Sequence, residues 1–288
     1  MSDDDREIVT PLAGLKRRAE HGGAQVAPGS VPMRALLTWG EPLFEVVRQV
    51  SHAKPTDLKA GVAKLYRGTW AGEPFILVNP GIGAPATALV ADKLHACGVD
   101  TFVGIGFAGI VHPLLQSGDL LVVERALGED GTSRAYLDST DEVAATPIMK
   151  DALEMSLGED PGVAYQCGTV WTTDTPYRET VGKAKRYRAR GAHAVDMETA
   201  GLYAVAKKRG FRAGAMLVLS DSLCRVAPLD QQADDPASRT GRDPFAGIDW
   251  TWTPAPSGSL DGKVLALVRA ALPVVVGGLQ AEAVQRSH

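Results

Sequence analysis

Cysteine is scarce in this chain: there are three, Cys97, Cys167 and Cys224. They stand too far apart for a zinc spacing and are too few for a disulfide framework, so no metal site is expected and a reducing, cytoplasmic setting is. No apolar run approaches the length of a membrane span, and the opening MSDDDREIV lacks the basic start of a signal peptide. Excess positive charge is missing too. The formal net charge is -4, with Lys and Arg spread among Asp and Glu, so a nucleic-acid footprint is not indicated. What is present suits a compact enzyme: 288 residues at 45% hydrophobic content, long for one domain but enough to bury a sizeable core in an α/β layer structure.

The most informative stretch is 194–222, AVDMETAGLYAVAKKRGFRAGAMLVLSDS. Asp196, Met197 and Glu198 open it, an apolar-periodic helix follows, and a strand expected over 215–219 ends in Ser220 and Asp221. A helix of about fifteen residues with a strand returning beside it brings Glu198 and Asp221 to one end of the layer. Two carboxylates facing one cleft suit a nucleoside. One accepts hydrogen bonds from the vicinal ribose hydroxyls beside a soft methionine, and the other, kept protonated by burial, gives its proton to a base nitrogen as the glycosidic bond breaks. The plainer reading makes Asp196 and Glu198 helix N-terminal charges and Asp221 the end of a strand.

VDMETAGLYAVA followed by LVLSDS resembles the nucleoside phosphorylase and nucleosidase superfamily, which includes the hexameric purine nucleoside phosphorylases, uridine phosphorylases and methylthioadenosine nucleosidases. The resemblance runs from about residue 32 to 223. It implies that Met197 and Glu198 hold the ribose and that Asp221 assists a purine leaving group. It also implies a three-layer α/β fold whose mixed central sheet, flanked by helices, curls into a distorted barrel, and a homo-oligomer, dimer or hexamer.

Residues 1–32 read as an extended N-terminal arm. His21 is either an exposed tail histidine or, by the resemblance, one donated across a dimer interface to the sugar. A strand over 33–38 meets Trp39-Gly40-Glu41-Pro42 and a helix over 43–50. The phosphorylases carry Gly-Asp-Pro-x-Arg at this turn, and the position of that phosphate-gripping arginine is Phe44 here. Glu45 is either a helix-surface carboxylate or the counterpart of the nucleosidase glutamate that polarises the attacking water.

Residues 62–78 read as a hairpin turning at Ala71-Gly72, and NPGIGAP, 79–85, as a glycine-rich strand-to-helix turn resembling the family's GIGGPS loop. Lys59 and Lys64 precede it. The arginine that phosphorylases supply from a neighbouring subunit aligns with Gly61. A strand over 101–105 leads to a turn, Gly106-Phe107-Ala108-Gly109, in which Ala108 and Gly109 look like the nucleosidase SAGG turn lining the base pocket. Gly104 and Phe107 stand where phosphorylases have an arginine and a Thr or Ser that bind phosphate. An apolar ring and a glycine supply no charge-assisted donors.

EDGTS, 129–133, resembles a family turn. TTDTPYRET, 172–180, resembles the family's TTDxxYRET, with Tyr177 near the base and Pro176 in place of a stacking ring. No counterpart of the uracil-reading Gln-x-Arg pair is present. Residues 225–259, rich in Asp, Pro and Gly, read as a long lid-like loop on a catalytic domain spanning 33–288. Its Trp250 and Trp252 either stack on ligand or pin the loop. A last helix is expected over 263–285.

These features predict an enzyme that hydrolyses the N-glycosidic bond of a purine-type nucleoside without a cofactor. Asp221 and Glu45 are the expected catalytic residues, with Met197, Glu198, Ala108, Gly109, Tyr177, Ser220, Phe107 and His21 binding substrate. The alternatives are phosphorolysis, with phosphate found through Lys59, Lys64 or Arg67, and a non-catalytic nucleoside-binding protein. The base, the 5' substituent and the pathway are not legible.

Overall fold

The computed structural model describes residues 7–21, 24–138, 141–226, 245, 247–256 and 258–277. The run TFVGIGFAGI forms β5 (Thr101–Ile110), buried at every residue except the half-buried Phe107. A strand buried on both faces takes partners on both edges. One edge pairs in parallel along its whole length with β10 (Arg212–Ser222). The other pairs in parallel with β1 (Arg34–Thr38) over 101–105 and then antiparallel with β9 (Ala192–Asp196) at Gly109 and Ile110. The expected turn at 106–109 is therefore strand, because β10 and β9 take up its backbone groups.

From β10 the sheet continues antiparallel to β6 (Leu120–Gly128), which pairs in parallel with β8 (Tyr165–Thr172), which pairs in parallel with β9. Five strands, β5, β10, β6, β8 and β9, thus close a ring, and β7 (Glu142–Ala144) adds to β6. From β5 an arm runs outward through β1, β4 (Glu73–Val78), β3 (Ala63–Trp70) and β2 (Lys54–Ala60). The mixed sheet curling into a barrel agrees with the expected fold. The hairpin between β3 and β4 turns at Ala71 (φ 50°) and Gly72 (φ 85°), two left-handed residues that suit a two-residue connection. β2 was not expected: KPTDLKA has no apolar alternation and is mostly solvent-facing, as suits an edge strand.

Helices cover both faces. On one lie α3 (Ala84–Ala96), α4 (Gly131–Leu137) and α7 (Thr199–Arg209); on the other α2 (Glu41–Val50), α5 (Pro147–Gly158) and α8 (Asp261–Val275). α6 (Val181–Ala189) packs on β9. α4 replaces the expected turn at 129–133, because Asp130 caps it by accepting from Ser133 N–H and from Ser133 Oγ, both at 2.6 Å.

The N-terminal segment is not an extended arm. It carries α1 (Pro11–Glu20), begun by Thr10, whose hydroxyl accepts from Ala13 N–H, and by Pro11 in the first turn; its Leu15 is buried. Farther on, Lys59 N–H donates to Ala24 and Val26 N–H to Lys59, tying 24–26 to β2. α8 ends at Val275, and the rest of the helix expected to 285 lies largely outside the described residues, as do 227–244 of the expected lid. The ends of that loop are β11 (Arg225–Val226) and β12 (Ile248–Asp249), paired antiparallel. Among the described residues no helix is long and apolar enough to cross a membrane.

Candidate active site

The tip of β5 is where the predicted carboxylates meet. Gly109 pairs with Val195 of β9 on one side and with Asp221 of β10 on the other. A β-carbon on Gly109 would stand 2.9 Å from Leu223, 3.2 Å from Val195 and 3.4 Å from Asp221 Oδ2, so glycine lets the two strands close around it. Glu198 leaves β9 two residues after its last residue, Asp196, and opens α7. A cleft of about 620 Å³ forms here, lined by Phe107, Ala108, Gly109, Met197, Glu198, Ser220 and Asp221, and by Pro176, Tyr177, Glu179 and Trp252 at its outer side. That volume suits a small-molecule ligand.

The carboxyls divide by what holds them. Asp196 is buried and accepts from Thr172 Oγ1 at 2.6 Å, from Thr199 N–H at 2.9 Å and from the Thr199 hydroxyl, so it anchors the start of α7. Glu198 accepts from Gly83 N–H at 2.7 Å and from Met197 N–H at 3.3 Å. The glycine-rich loop therefore positions the ribose-binding candidate. Burial, reinforced by the Asp196 charge, raises Glu198 above the ordinary carboxylate range. Asp221 accepts from Ser220 Oγ at 2.7 Å on Oδ1 and from the Trp252 indole N–H at 2.8 Å on Oδ2, and Ser220 Oγ also reaches Ala108 O at 3.3 Å.

One group at this site, Glu179, was not expected in it. Glu179 follows a short 3-10 turn, Pro176–Arg178, and its side chain accepts no hydrogen bond among the described residues; burial, with the charges of Asp221 and Glu129 adding, pushes it up to about 7 against the pull of Lys183. The two tryptophans have different parts. Trp250 packs with Val111, Trp171 and Leu223 and pins its segment to the body, whereas Trp252 lies exposed at the cleft mouth. Tyr177 is fully exposed at the rim, and no ring stands at Pro176.

Glu45 is not in the cleft. Its carboxylate takes Arg48 Nε at 2.9 Å and Nη2 at 2.7 Å, and that guanidinium holds its pKa below the ordinary value. The reason is helical phase: Leu43, Phe44 and Val47 occupy the buried face of α2, and one residue past Phe44 is about 100° round the helix. His21 sits at the C-terminal end of α1 with its ring nitrogen on Arg17 O, outside the cleft lining. Lys59, Lys64 and Arg67 lie on β2 and β3, also outside it.

Apolar contacts fill the positions that differ from a phosphate site. Phe44 packs edge-on against Tyr66 with centroids 5.0 Å apart. The Trp39 ring lies over Gly104, where any β-carbon would stand 2.4 Å from it, and the Phe107 ring lies against Gly40 at 3.4 Å from the β-carbon position. No Lys or Arg lines the cleft among the described residues. A second hollow, of about 520 Å³ beside α1, is lined by Arg18, Lys93, Lys208 and Arg209, with Asp92 already bonded to Tyr136 and Arg209. It contains none of the strand-end residues.

Residues 39–243 match the family model described as the phosphorylase superfamily. The chain belongs to the phosphorylase superfamily. Among the superfamily relatives, a guanosine phosphorylase of Halorubrum lacusprofundi is 28% identical over 182 residues, 62% of this chain and 74% of that protein. A uridine phosphorylase of Thermococcus kodakarensis is 30% identical over 208 residues, 66% of this chain and 73% of that one. Among solved structures, a purine nucleoside phosphorylase from Toxoplasma gondii in complex with immucillin-H superposes with a TM-score of 0.70 at 20% identity, covering 90% of this chain and 99% of its own. The last likeness is one of fold. This phosphorylase-superfamily chain is accordingly an enzyme, and the alternative of a non-catalytic binder is set aside.

Proposed function

We propose that the protein cleaves the N-glycosidic bond of a purine-type nucleoside, with phosphate as the acceptor. The observation that supports cleavage is the meeting of Glu198, beside Met197, and Asp221 in one cleft. Glu198 accepts from the ribose hydroxyls while Gly83 and Met197 hold its carboxyl still. Asp221 protonates the leaving base as the C1'–N9 pair moves onto it, through an oxocarbenium-like state stabilised by positioning and fixed charge. Phosphate oxygen then bonds to C1', giving free base and ribose 1-phosphate.

Phosphate comes first because the relatives named above are phosphorylases. The lining of the described cleft carries carboxylates and no cation, so in this reading a neighbouring copy of the chain supplies the positive charge and the working unit is a homo-oligomer. A second reading, hydrolysis, is favoured by the rings of Trp39 and Phe107 packed where an anion would need donors. With Glu45 paired to Arg48, water would have to find another base.

Product analysis with purine and pyrimidine nucleosides, in phosphate-free buffer and with phosphate added, separates the readings. A phosphate requirement with ribose 1-phosphate as product supports phosphorolysis. Free ribose at equal rates in both buffers supports hydrolysis, and no cleavage of any nucleoside in either sinks both.

A further inference from the structure

We infer that the hollow beside α1 is a second ligand site, separate from the cleft, and that it takes a small phosphate monoester with an apolar body. Its volume of about 520 Å³ suits a small molecule, and two acids line it against four bases. The acids are already committed. Asp92 holds Arg209 Nε at 2.6 Å, Arg209 Nη2 at 3.0 Å and the Tyr136 hydroxyl at 2.6 Å, while Glu7 holds Arg209 Nη1 at 2.7 Å. Lys208 lies 3.5 Å from the exposed Asp138.

Lys93 of α3 and Arg18 of α1 are left over. Lys93 is only 5% exposed, yet neither its ammonium nor the Arg18 guanidinium has a hydrogen bond or ion pair among the described residues. A charge taken out of water without a partner is costly, and a second positive charge beside it adds to the cost. Burial, with Arg18 adding, holds Lys93 below the ordinary lysine range. The ammonium also has a place made for it: a β-carbon on Gly61, at the turn between β2 and β3, would stand 2.5 Å from Nζ. An anion bound by Lys93 and Arg18 relieves both penalties.

The class of anion follows from the donors. A phosphate monoester carries close to two negative charges near neutral pH and three outer oxygens, enough for a guanidinium fork and an ammonium together. A carboxylate offers one charge and two oxygens. Ile8, Val9 and Leu89 line the same hollow and are otherwise open to solvent, so the rest of the ligand meets an apolar wall.

The test titrates phenyl phosphate, phenylacetate, inorganic phosphate and benzyl alcohol into the full chain by calorimetry, with no nucleoside present. Phenyl phosphate should bind once per chain, about tenfold or more tightly than each of the other three, because only it supplies both the dianion and the ring. Lys93→Met keeps the stem and removes the charge, and Arg18→Gln changes an exposed position of α1. Each should weaken phenyl phosphate by about tenfold or more, the scale of a hydrogen bond to a charged group. Without ligand, Lys93→Met should melt no lower than the parent, since it deletes an unpaired buried charge, and this shows that the variant is folded. Phenyl phosphate binding equally to the parent and both variants places the anion elsewhere and overturns the assignment. So does a parent that binds none. Phenylacetate or inorganic phosphate binding as tightly as phenyl phosphate overturns the ligand class.

Discussion

The indole N–H of Trp252 donates to Oδ2 of Asp221 at 2.8 Å, while Ser220 holds Oδ1 at 2.7 Å. Both oxygens of the proposed acid are thereby engaged before any ligand arrives, one by a residue of the body and one by a residue of the segment that follows β12. A base that takes the Asp221 proton at N7 has to share or displace the indole.

Removing that N–H while keeping an aromatic, smaller ring, with Trp252→Phe, should lower kcat by about tenfold and leave KM within about threefold, the scale of one strong hydrogen bond. Trp252→Ala should raise KM as well, because the ring forms part of the cleft mouth. Steady-state kinetics with a purine nucleoside checks both, and two variants indistinguishable from the parent would remove Trp252 from the site.

Asp221→Asn should lower cleavage of purine nucleosides by about 10²–10⁴-fold, the usual contribution of a positioned acid, with binding largely kept. A riboside with a nitrophenol leaving group, which departs without a proton, should be cleaved at near-parental rate. Full activity on inosine or adenosine would exclude Asp221 as the acid.

Glu179 ionises near 7 in the folded chain against an ordinary 4.5, burial being the main cause. The folded state therefore holds the proton more tightly than the unfolded one. Its stabilising effect is complete below about 4.5 and is lost as pH rises through about 7. Glu179→Gln should melt increasingly above the parent as pH is raised from 5 to 8, the gap widening by about 2–4 °C for each kcal/mol. Parallel melting curves across that range would place the group in a solvated setting.

Asp92 of α3 accepts from Tyr136 of α4 at 2.6 Å and from Arg209 of α7 at 2.6 and 3.0 Å, joining three helices. Asp92→Asn removes the carboxylate that holds Arg209 Nε and Nη2 but leaves the guanidinium paired with Glu7 at 2.7 Å, and should cost about 1.5–3 kcal/mol. Thermal or urea unfolding reads this directly. A loss under about 0.5 kcal/mol would show the cluster to be solvent-screened.

The ribose and acid candidates were legible because VDMET and LSDS place carboxylates at the ends of elements whose periodicity is plain. The α/β class was legible for the same reason, since strands and helices alternate. The turn at Ala71-Gly72 followed from local chemistry alone. Glu179 was not legible, since nothing in TPYRET tells which side chain of a short irregular turn enters the cleft. Glu45 failed on helical phase, which an offset from Gly40 does not show. Gly106 to Gly109 looked like a turn because two glycines in four residues suggest one, while the partners that make it strand are supplied by β10 and β9 from far along the chain. α1 was written locally, in Thr10-Pro11, but within a segment whose polar composition suggested no structure.

The seam between β5 and β10 joins residues 101–110 to 212–222, partners more than a hundred residues apart along the chain. Gly109 and Asp221 face each other across that seam. The cleft thus depends on a contact of long sequence separation and is absent from any chain whose barrel remains open. A ligand that fits it binds only the closed state and raises the barrier to reopening. Shielding a nascent chain before β10 has been synthesised is therefore something no nucleoside can do.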